Sequence, residues 1–587
     1  MLKKIFFIML AGAMCLCLSP ANVRADALHY PTETTFYDPA LSYGGVHLLP
    51  PMSGLGTYLI DLDGRLLHKW MRPSNTETIV YATMEENGLL SRHVTPVKPD
   101  SVSAAAAALE SGGAQAGLLE EVNWYGNVVR SWHTWTNQYR SHHRYDRIFN
   151  KRLNAYTYLF ICWEPHTQAE AIAMGATGNV PSAGWSPDSI YEFDYSGNVV
   201  WKWSIFDHLT QSADPAKPNY VADVFTAKNR MDINMVAGTG RKAPQGDWNH
   251  VNSLGYDPTT GYVVFNSREY DESYVIDHDG TFVSATDFAA NIAAAVANPG
   301  FVYRFGAPKN YHTPDVTISG VVTSNTPFYG SNGTVQIFGA HSVHFIRPTA
   351  WKNGPALPGA GNILWFDNHG SNNNPLGSYS QLLEVNPRVT GPAVNGVYPA
   401  QSPATNFKWP DDNVGYVKAS NIGSGYSTAN QSNQVVWRFR PQNDWGFSSA
   451  HISGAQRLPN GNTIGTAGEA GHVIEVTAGT STATTPEANA GTTPVLAWEY
   501  QNPMYVKTVN GNKSMAARKF NSTAATSEAT QMFCSFRYSP NYPGLKNYLV
   551  QYSDGTIQPI LKQPGVGFTL TGQVPCRSIP CQYVGAP

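Results

Sequence analysis

The stretch SIYEFDYSGNVVWKWSI, at residues 189–205, carries the pattern that decides the fold of this chain. An alternating run of apolar and polar residues passes an acidic residue and a Ser-Gly-Asn turn, and then continues as Val-Val-x-x-Trp. Glycine and asparagine readily adopt the positive φ angles that tight hairpin turns require. The stretch therefore predicts two antiparallel β-strands joined by a short turn.

About six copies of this pattern occur along the chain. Besides the copy quoted above, they lie at residues 57–70, 118–132, 273–283, 381–387 with 435–439, and 471–479 with 495–500. The copy at 273–283 repeats only the first half, and the last two copies are split by insertions. Their spacing of roughly 60 to 110 residues is that of an elaborated propeller blade, larger than a solenoid repeat.

The number of copies predicts the architecture. A four-stranded blade has two apolar faces, and it becomes stable only when neighbours cover both faces and the ring closes. We therefore predict an all-β protein, a six-bladed β-propeller in a single domain with inserted loops. Unrelated hairpins in a β-sandwich would use the same turn residues, but sandwich strands seldom keep a tryptophan in register after each turn.

Composition narrows the class of protein further. Charged residues make up only 14% of the 587 residues, the formal net charge is −3 and there is no basic block, which argues against a nucleic-acid partner. The content of 52 Gly and 40 Pro is typical of a turn-rich all-β chain. One ring of blades reaches this length without a domain boundary.

The N-terminus resembles an export signal. Lys3 and Lys4 precede an apolar stretch, and a small-residue cleavage site ends at Ala25. The predicted division is a signal peptide over the first 25 residues, an N-terminal extension at 26–56 and the propeller at 57–587. We expect a periplasmic or secreted protein without a membrane span; its oligomeric state stays open, with a homodimer as one option.

Four cysteines remain beyond the signal. Cys576 and Cys581 enclose a short loop near the C-terminus, so a disulfide is expected there in an oxidising compartment. Cys162 and Cys534 both lie in apolar, strand-like runs. Sequence leaves open whether these two pair or stay free thiols.

A second repeat consists of histidines that precede or begin strands. The candidates are His250 in WNHVNS, His341 in GAHSVHFI, His369 in FDNHG, His451 in SAHISG and His472 in GHVIEV. The first strand of each propeller blade lines the central channel, so histidines from different blades are predicted to converge at one of its mouths. His142 and His143, in RSHHRYDR, are interpreted as a basic turn outside this site.

Three segments resemble the bacterial arylsulfate sulfotransferase family. They are DWNHVNSLGYDPTTGYVVFNSR at 247–268, GAHSVHFI at 339–346 followed by LWFDN, and ISGAQRLPNGNT at 452–463 followed by GHVIEV. The resemblance extends from about residue 57 to the C-terminus; the N-terminal β-sandwich of some members has no counterpart. It implies a six-bladed periplasmic propeller that transfers a sulfuryl group from an aryl sulfate to a phenol through a transiently sulfated histidine, without a nucleotide donor.

The resemblance also implies roles for individual residues. His472 matches the histidine that becomes sulfated, and His250 and His341 match the other two active-site histidines. The family's arginine shortly after FDN is missing, because Asn372 stands about where it is expected. The substrate-binding candidates that could replace its charge or support it are Arg268, His369, Arg537 and His451.

The chemistry agrees with these residue types. A neutral imidazole is a competent nucleophile near neutral pH, and a loose transition state needs mainly placement and charge stabilisation. The prediction includes no cofactor and no metal. Two alternatives stay open: a copper-type oxidoreductase, since clustered neutral imidazoles also bind transition metals, and a non-catalytic ligand-binding propeller.

Overall fold

Six antiparallel sheets surround a central channel, as the computed structural model of the chain shows. The structure describes residues 33–110, 112–178, 180–235, 246–307, 310, 317–318, 321–322, 337–369, 380–388, 417–418, 429–431, 434–439, 447–479, 494–510, 512–517, 531–561 and 563. Within these residues the chain is a six-bladed β-propeller, which confirms the predicted fold.

Each blade contains four strands, named in order from the channel outwards. Blade 1 has Phe536–Tyr538, Val46–Leu49, Gly56–Asp61 and Leu66–Met71; blade 2 has Thr78–Met84, Leu90–Thr95, Leu118–Val122 and Val128–His133; blade 3 has Arg140–Asn150, Ala155–Trp163, Asp188–Phe193 and Val199–Ser204. Blade 4 has Val251–Asp257, Tyr262–Ser267, Glu272–Asp277 and Tyr303–Phe305; blade 5 has His341–Phe345, Ile363–Asp367, Gln381–Val385 and Val435–Phe439; blade 6 has Ser453–Arg457, Thr463–Ala467, His472–Val476 and Leu496–Gln501.

Shorter elements occupy the insertions. The helices are Ala104–Leu109, Gln168–Ala173 and Phe288–Ala297, with 3₁₀ turns at Phe206–His208 and Val224–Ala227. Two-stranded pairs are Leu209–Thr210 with Met231–Asp232, Thr317–Ile318 with Val321–Val322, Val417–Lys418 with Ala429–Gln431, Met504–Val509 with Asn512–Ala517, and Leu549–Gln551 with Ile557–Pro559.

Both ends of the described chain close the ring. The C-terminal strand Phe536–Tyr538 is the innermost strand of blade 1 and pairs with Val46–Leu49. Near the N-terminus, Glu33–Tyr37 pairs with Leu496–Gln501 as a fifth, outermost strand of blade 6. The propeller therefore includes residues that the sequence division assigned to an extension at 26–56, because the strands they pair with lie more than 400 residues away.

The repeated sequence pattern forms the outer half of each blade. Its two runs are the third and fourth strands, and in five blades the register shifts near the turn between them. In blade 4 the helix Phe288–Ala297 replaces the second run and precedes the short outer strand Tyr303–Phe305. Tryptophans of the pattern, such as Trp201 and Trp498, are fully buried. Each buried side chain of this kind contributes roughly 1.5–3 kcal/mol or more, so the repeat encodes the core between blades.

Of the four cysteines beyond the predicted signal, the structure describes two. Cys162 and Cys534 are both buried free thiols, so they do not pair. Cys576, Cys581 and the predicted signal peptide lie outside the described residues. Among the residues the structure describes, no helix combines the length and apolar character needed to cross a bilayer.

Candidate functional site

Three histidines from adjacent blades meet where the innermost strands begin. The rings of His143 in blade 3 and His250 at the start of blade 4 make an edge-to-face contact, with centroids 4.9 Å apart. Phe533 lies beside this pair, with its ring 5.5 Å from that of His143 and 6.2 Å from that of His341 in blade 5. The structure thus brings His143, His250 and His341 into one cluster.

The backbone is strained where it delivers these residues. His143, His250, Ser342 and Ile452 all have positive φ, between 45° and 58°, at the corresponding point of blades 3 to 6. A non-glycine residue in this conformation costs roughly 1–2 kcal/mol. The rest of the fold must stabilise these four strained residues around the channel, and such strain is common at functional sites.

A hydrogen-bonded chain extends from His143 into the protein. Its Nδ1 lies 2.6 Å from Nδ1 of His142, and Nε2 of His142 lies 2.8 Å from Oδ1 of Asp188. With Asp188 as the acceptor, the N–H of His142 points to the carboxylate and His143 donates from its own Nδ1. This tautomer leaves the lone pair of His143 on Nε2.

The surroundings of this hydrogen-bonded series of side chains favour neutral imidazoles. Burial, and then the positive charges of neighbouring histidines, hold the pKa of His143 well below its usual range. Burial and the charge of Asp247 raise the pKa of Asp188. That carboxylate therefore depends on its two donors, His142 and the Val251 N–H at 2.8 Å, to remain ionised.

His250 is held by a carboxylate of its own. Its Nδ1 lies 2.5 Å from Oδ2 of Asp247, whose other oxygen accepts a hydrogen bond of 2.9 Å from the indole of Trp163. Burial lowers the pKa of His250, but the charge of Asp247 and this hydrogen bond outweigh it and raise the pKa above its ordinary value. The side chain of His250 keeps 17% of its surface exposed, so this imidazole is the accessible proton donor of the cluster.

A loop from blade 2 covers His250. The helix Ala104–Leu109 is followed by Gly113, where an added Cβ would lie only 3.3 Å from Cε1 of His250. The same loop is tied to the site because the His143 N–H donates to the carbonyl of Ala114. A short helix is therefore followed by a loop, in which Gly113 lets the backbone approach the imidazole.

His341 is fixed in one tautomer. Its Nδ1 faces the side-chain oxygen of Asn368 at 2.7 Å and the carbonyl of Gly339 at 3.0 Å, both acceptors. Nε2 therefore carries the lone pair and accepts a long hydrogen bond of 3.3 Å from the Ile452 N–H. Burial lowers the pKa of His341 to about 3, so the ring is neutral.

Arg268 supplies positive charge near the cluster. It follows the second strand of blade 4, pairs with Glu269 at 2.9 Å and keeps 29% of its side chain exposed. Its charge lowers the pKa values of His341 and His369, and it opposes protonation of His250. Among the candidates for the missing family arginine, Arg268 is thus the one beside His250 and His341.

His369 and His451 lie at the rim. Burial and then Arg268 lower the pKa of His369, which is partly exposed. His451 has 45% of its side chain exposed and lies 3.7 Å from Glu469. Asn372 lies outside the described residues.

Two predicted site residues have other surroundings. His472 begins the third strand of blade 6, where its Nε2 lies 2.8 Å from Glu499 and its ring contacts Phe447 at a centroid distance of 6.0 Å. Arg537 is fully buried in an ion pair of 2.7 Å with Glu475, on the innermost strand of blade 1. The structure does not place Arg537 in the histidine cluster, because its partner is a carboxylate near the other end of the strands.

Sequence reasoning missed His142, His143, Asp188 and Asp247. The pair of histidines lies near the start of an innermost strand, as His250 and His341 do, and this position was the available signal. Nothing in the sequence indicated Asp188, which joins the site only through sheet pairing. The described residues contain no group of three or more His, Cys, Asp or Glu that could hold a metal ion.

Comparisons with known proteins agree with the segment resemblance. The arylsulfotransferase (ASST) family model matches residues 113–284, a range that includes His143, Asp247, His250 and Arg268. The match confirms the resemblance to this family, and of the three segments it includes the one at 247–268. No curated protein matches the chain in sequence.

Solved structures give only a distant likeness. One is a protein of unknown function from Bacteroides caccae, with 10% identity over 74% of this chain and 90% of that chain, at a TM-score of 0.31. Another is Sqt1 from Saccharomyces cerevisiae, with 9% identity over 87% of this chain and all of that chain, at a TM-score of 0.28. Similarity at this level adds nothing to the fold or the function.

Proposed function

With the arylsulfotransferase match as the premise, we propose that this protein transfers a sulfuryl group from an aryl sulfate to a phenol through a transiently sulfated histidine, without a nucleotide donor. The observation that carries the proposal is the cluster of His143, His250 and His341, with Arg268 beside it, at one end of the channel. The proposal includes export of the mature chain to the periplasm or the medium. The mass of the exported protein tests cleavage after Ala25.

Positive charge binds the substrate. An aryl sulfate carries one negative charge spread over its sulfuryl oxygens, which accept hydrogen bonds from guanidinium and imidazolium groups. Arg268 and protonated His250 provide both kinds of donor next to neutral His143 and His341. Each well-placed donor contributes roughly 2.7–4 kcal/mol to transition-state stabilisation.

The geometry favours His143 as the nucleophile. Its Nδ1 is occupied by His142, so the free lone pair is on Nε2, and its low pKa keeps the ring neutral. His472, which the family resemblance assigns to this role, is the rival. Its Nε2 is bonded to Glu499, so it would have to react through Nδ1.

The reaction takes two displacements at sulfur. In the first, Nε2 of His143 forms an N–S bond while the S–O bond to the aryl group breaks, and the leaving oxygen takes a proton from His250. In the second, the oxygen of the acceptor phenol forms an S–O bond, the N–S bond breaks, and the phenol proton returns to His250. A raised pKa suits His250 to this exchange, because it is protonated at the start of each cycle.

Trapping the intermediate tests both assignments. The mature protein is mixed with 4-nitrophenyl sulfate, quenched and digested with trypsin, and the peptides are searched for the mass of SO₃, about 80 daltons, expected of a covalent intermediate. Cleavage after Arg140 and Arg144 isolates His142 and His143 on residues 141–144, whereas His472 lies on residues 458–507. An adduct on the first peptide supports His143, and an adduct on the second supports His472.

Variants and kinetics complete the test. We expect His143→Gln to lose the adduct and the transfer to phenol, with His472→Gln as the matched variant outside the cluster. Ping-pong kinetics are expected for the native protein. A folded protein that transfers no sulfuryl group to any phenol acceptor would favour the non-catalytic propeller.

A further inference from the structure

A cavity of about 200 Å³ occupies the other end of the innermost strands. Residues from all six blades line it, and none of His143, His250 and His341 is among them. Arg147 of the lining follows His143 by four residues on one strand, about 13 Å at roughly 3.3 Å per residue. We call this space the arginine cavity; the three histidines of the cluster do not line it, but Arg144 and His344 of its lining follow His143 and His341 by one and three residues.

Five arginines line the arginine cavity, and four of them have a carboxylate partner. The ion pairs are Arg147 with Glu85 at 3.7 Å, Arg347 with Asp146 at 2.5 Å, Arg457 with Glu384, and Arg537 with Glu475 at 2.7 Å. Arg144 is the fifth. Among the described residues no carboxylate lies within ion-pair distance of its guanidinium, so the lining carries one positive charge in excess.

Arg144 is buried, with 9% of its surface exposed. Its Nη1 donates to the hydroxyl of Ser342 at 2.9 Å, and its guanidinium lies 5.4 Å from the ring centroid of Tyr81. Its Nε has no hydrogen-bond partner among the described residues. The nearest carboxylate, Asp146, is two residues further along the strand and forms its ion pair with Arg347, so it compensates the charge of Arg144 only in part, and a bound anion would compensate the rest.

Two other arginines of the lining also have a guanidinium nitrogen without a hydrogen-bond acceptor. Nε of Arg457 and Nη2 of Arg537 are also buried without a hydrogen-bond partner in the described part of the chain. These residues come from blades 6 and 1, whereas Arg144 comes from blade 3. Arginines from three blades therefore line one cavity, and each has a guanidinium nitrogen without a hydrogen-bond acceptor among the described residues.

We propose that the arginine cavity binds a small tetrahedral oxyanion, such as sulfate or phosphate, with Arg144 as its counter-charge. Oxygens of such an anion accept charge-assisted hydrogen bonds from guanidinium groups. The planar set of guanidinium N–H donors matches the geometry of a tetrahedral oxyanion. The volume of about 200 Å³ is below the roughly 300–1,000 Å³ of sites for drug-sized ligands, and it accommodates an inorganic anion. This site does not depend on the proposed transferase chemistry.

His344 is an internal reporter of occupancy. Its Nδ1 lies 2.7 Å from the carbonyl of Ser342, and it lines the same cavity. Burial and then the charge of Arg144 lower its pKa to about 3. An anion at Arg144 cancels part of that charge, so binding raises the pKa of His344.

The experiment titrates sodium sulfate or sodium phosphate into the mature protein, against sodium chloride at equal ionic strength, and follows heat release and thermal midpoint. We expect saturable binding that Arg144→Gln weakens at least tenfold, while Arg130→Gln, an exposed arginine on blade 2, leaves it unchanged. His250→Gln, which removes a charge from the histidine cluster, changes only sulfate binding at that cluster and leaves the Arg144-dependent binding unchanged. Equal affinity in Arg144→Gln, loss in His250→Gln, or no saturation in the native protein would overturn the proposal.

Two further readouts keep the test independent of folding defects. Without anion, Arg144→Gln is expected to unfold at a higher temperature than the native protein, and with saturating sulfate the order reverses. Histidine NMR of the native protein is expected to show the His344 resonance moving toward its protonated form at lower acidity when sulfate is present. A His344 titration that sulfate does not shift places the ion elsewhere and refutes the site.

Discussion

The two ends of the channel are built on the same six strands but differ in how their charges are balanced. At the histidine end, two carboxylates hold His142 and His250, and the lone pairs of His143 and His341 are left on Nε2. At the arginine end, four of five guanidinium groups are neutralised one by one by carboxylates. The first arrangement sets which imidazole nitrogens keep a lone pair, whereas the second fixes the strands to each other.

The difference teaches how a propeller separates chemistry from stability. A reactive group needs an atom without a hydrogen-bond partner and a pKa suited to its role. Both requirements reduce what the group contributes to folding stability. In a buried ion pair, by contrast, removing either partner leaves an unpaired buried charge and strongly destabilises the fold. We therefore expect substitutions at the histidine end to reduce activity and those at the arginine end to reduce stability.

The largest effect is expected at the arginine end. Glu384→Gln removes the charge that pairs with Arg457 but keeps the shape, and it leaves a buried guanidinium unpaired. We expect a loss of about 3–5 kcal/mol in the free energy of unfolding, measured by urea denaturation. Sulfuryl transfer by the remaining folded protein should be unchanged. A variant that loses turnover but not stability would reverse the comparison.

At the histidine end, His250→Gln is expected to reduce turnover with an aryl sulfate about 10²–10³-fold, or roughly 2.7–4 kcal/mol of barrier, because it removes a donor to the transition state. Its unfolding midpoint should stay close to that of the native protein, since the side chain is partly exposed. Steady-state rates with a series of phenols check this. An undiminished rate would remove His250 from the mechanism.

A buried histidine outside both ends provides a contrast. Burial lowers the pKa of His278, but Glu192 and Asp279 outweigh it and raise the pKa to about 9. Its ion pairs stabilise the protein fully below the unfolded pKa, about 6.5, and this stability is lost as pH rises through about 9. His278→Gln should cost on the order of 2 kcal/mol at low pH, with the difference shrinking above the folded pKa. A cost independent of pH, in urea denaturation at several pH values, would contradict the ion pairing.

The smallest effect concerns the carboxylate behind His250. Asp247→Asn removes the negative charge that raises the pKa of His250, so its pKa falls. Activity that needs protonated His250 is then lost at a lower pH than in the native protein. At a fixed pH above the pKa, activity falls about tenfold for each unit by which the pKa of His250 falls. The pH profile of kcat/KM measures this shift, with Asp279→Asn as a matched substitution at His278. An unshifted alkaline limb would show that His250 does not act as the acid.

The strands of the propeller could be predicted because the pattern is local. An unsplit copy supplies a turn and two strands within a short stretch, and a buried tryptophan such as Trp201 follows directly from it. The closure could not be predicted in the same way. His47 pairs with Arg537 on the neighbouring strand of blade 1, 490 residues away in the sequence, and no local pattern reports a pairing over that separation.

The histidine cluster was predictable in part. His250 and His341 precede innermost strands in segments with a recognisable sequence, so their convergence followed from the fold. His143 was not recognised, because two adjacent histidines beside arginines have the composition of a solvated turn. Its tautomer depends, through His142, on Asp188, which lies on a different strand of blade 3.

By itself the sequence determined the repeating hairpins, the number of blades and the residue types available for chemistry at the channel. Only the tertiary structure decided which imidazole has a carboxylate behind it, which arginine lacks one, and where the chain ends close the ring. The reason is physical: turns and strand alternation depend on neighbouring residues, whereas the protonation of a buried group depends on whichever charges the fold brings within a few ångströms.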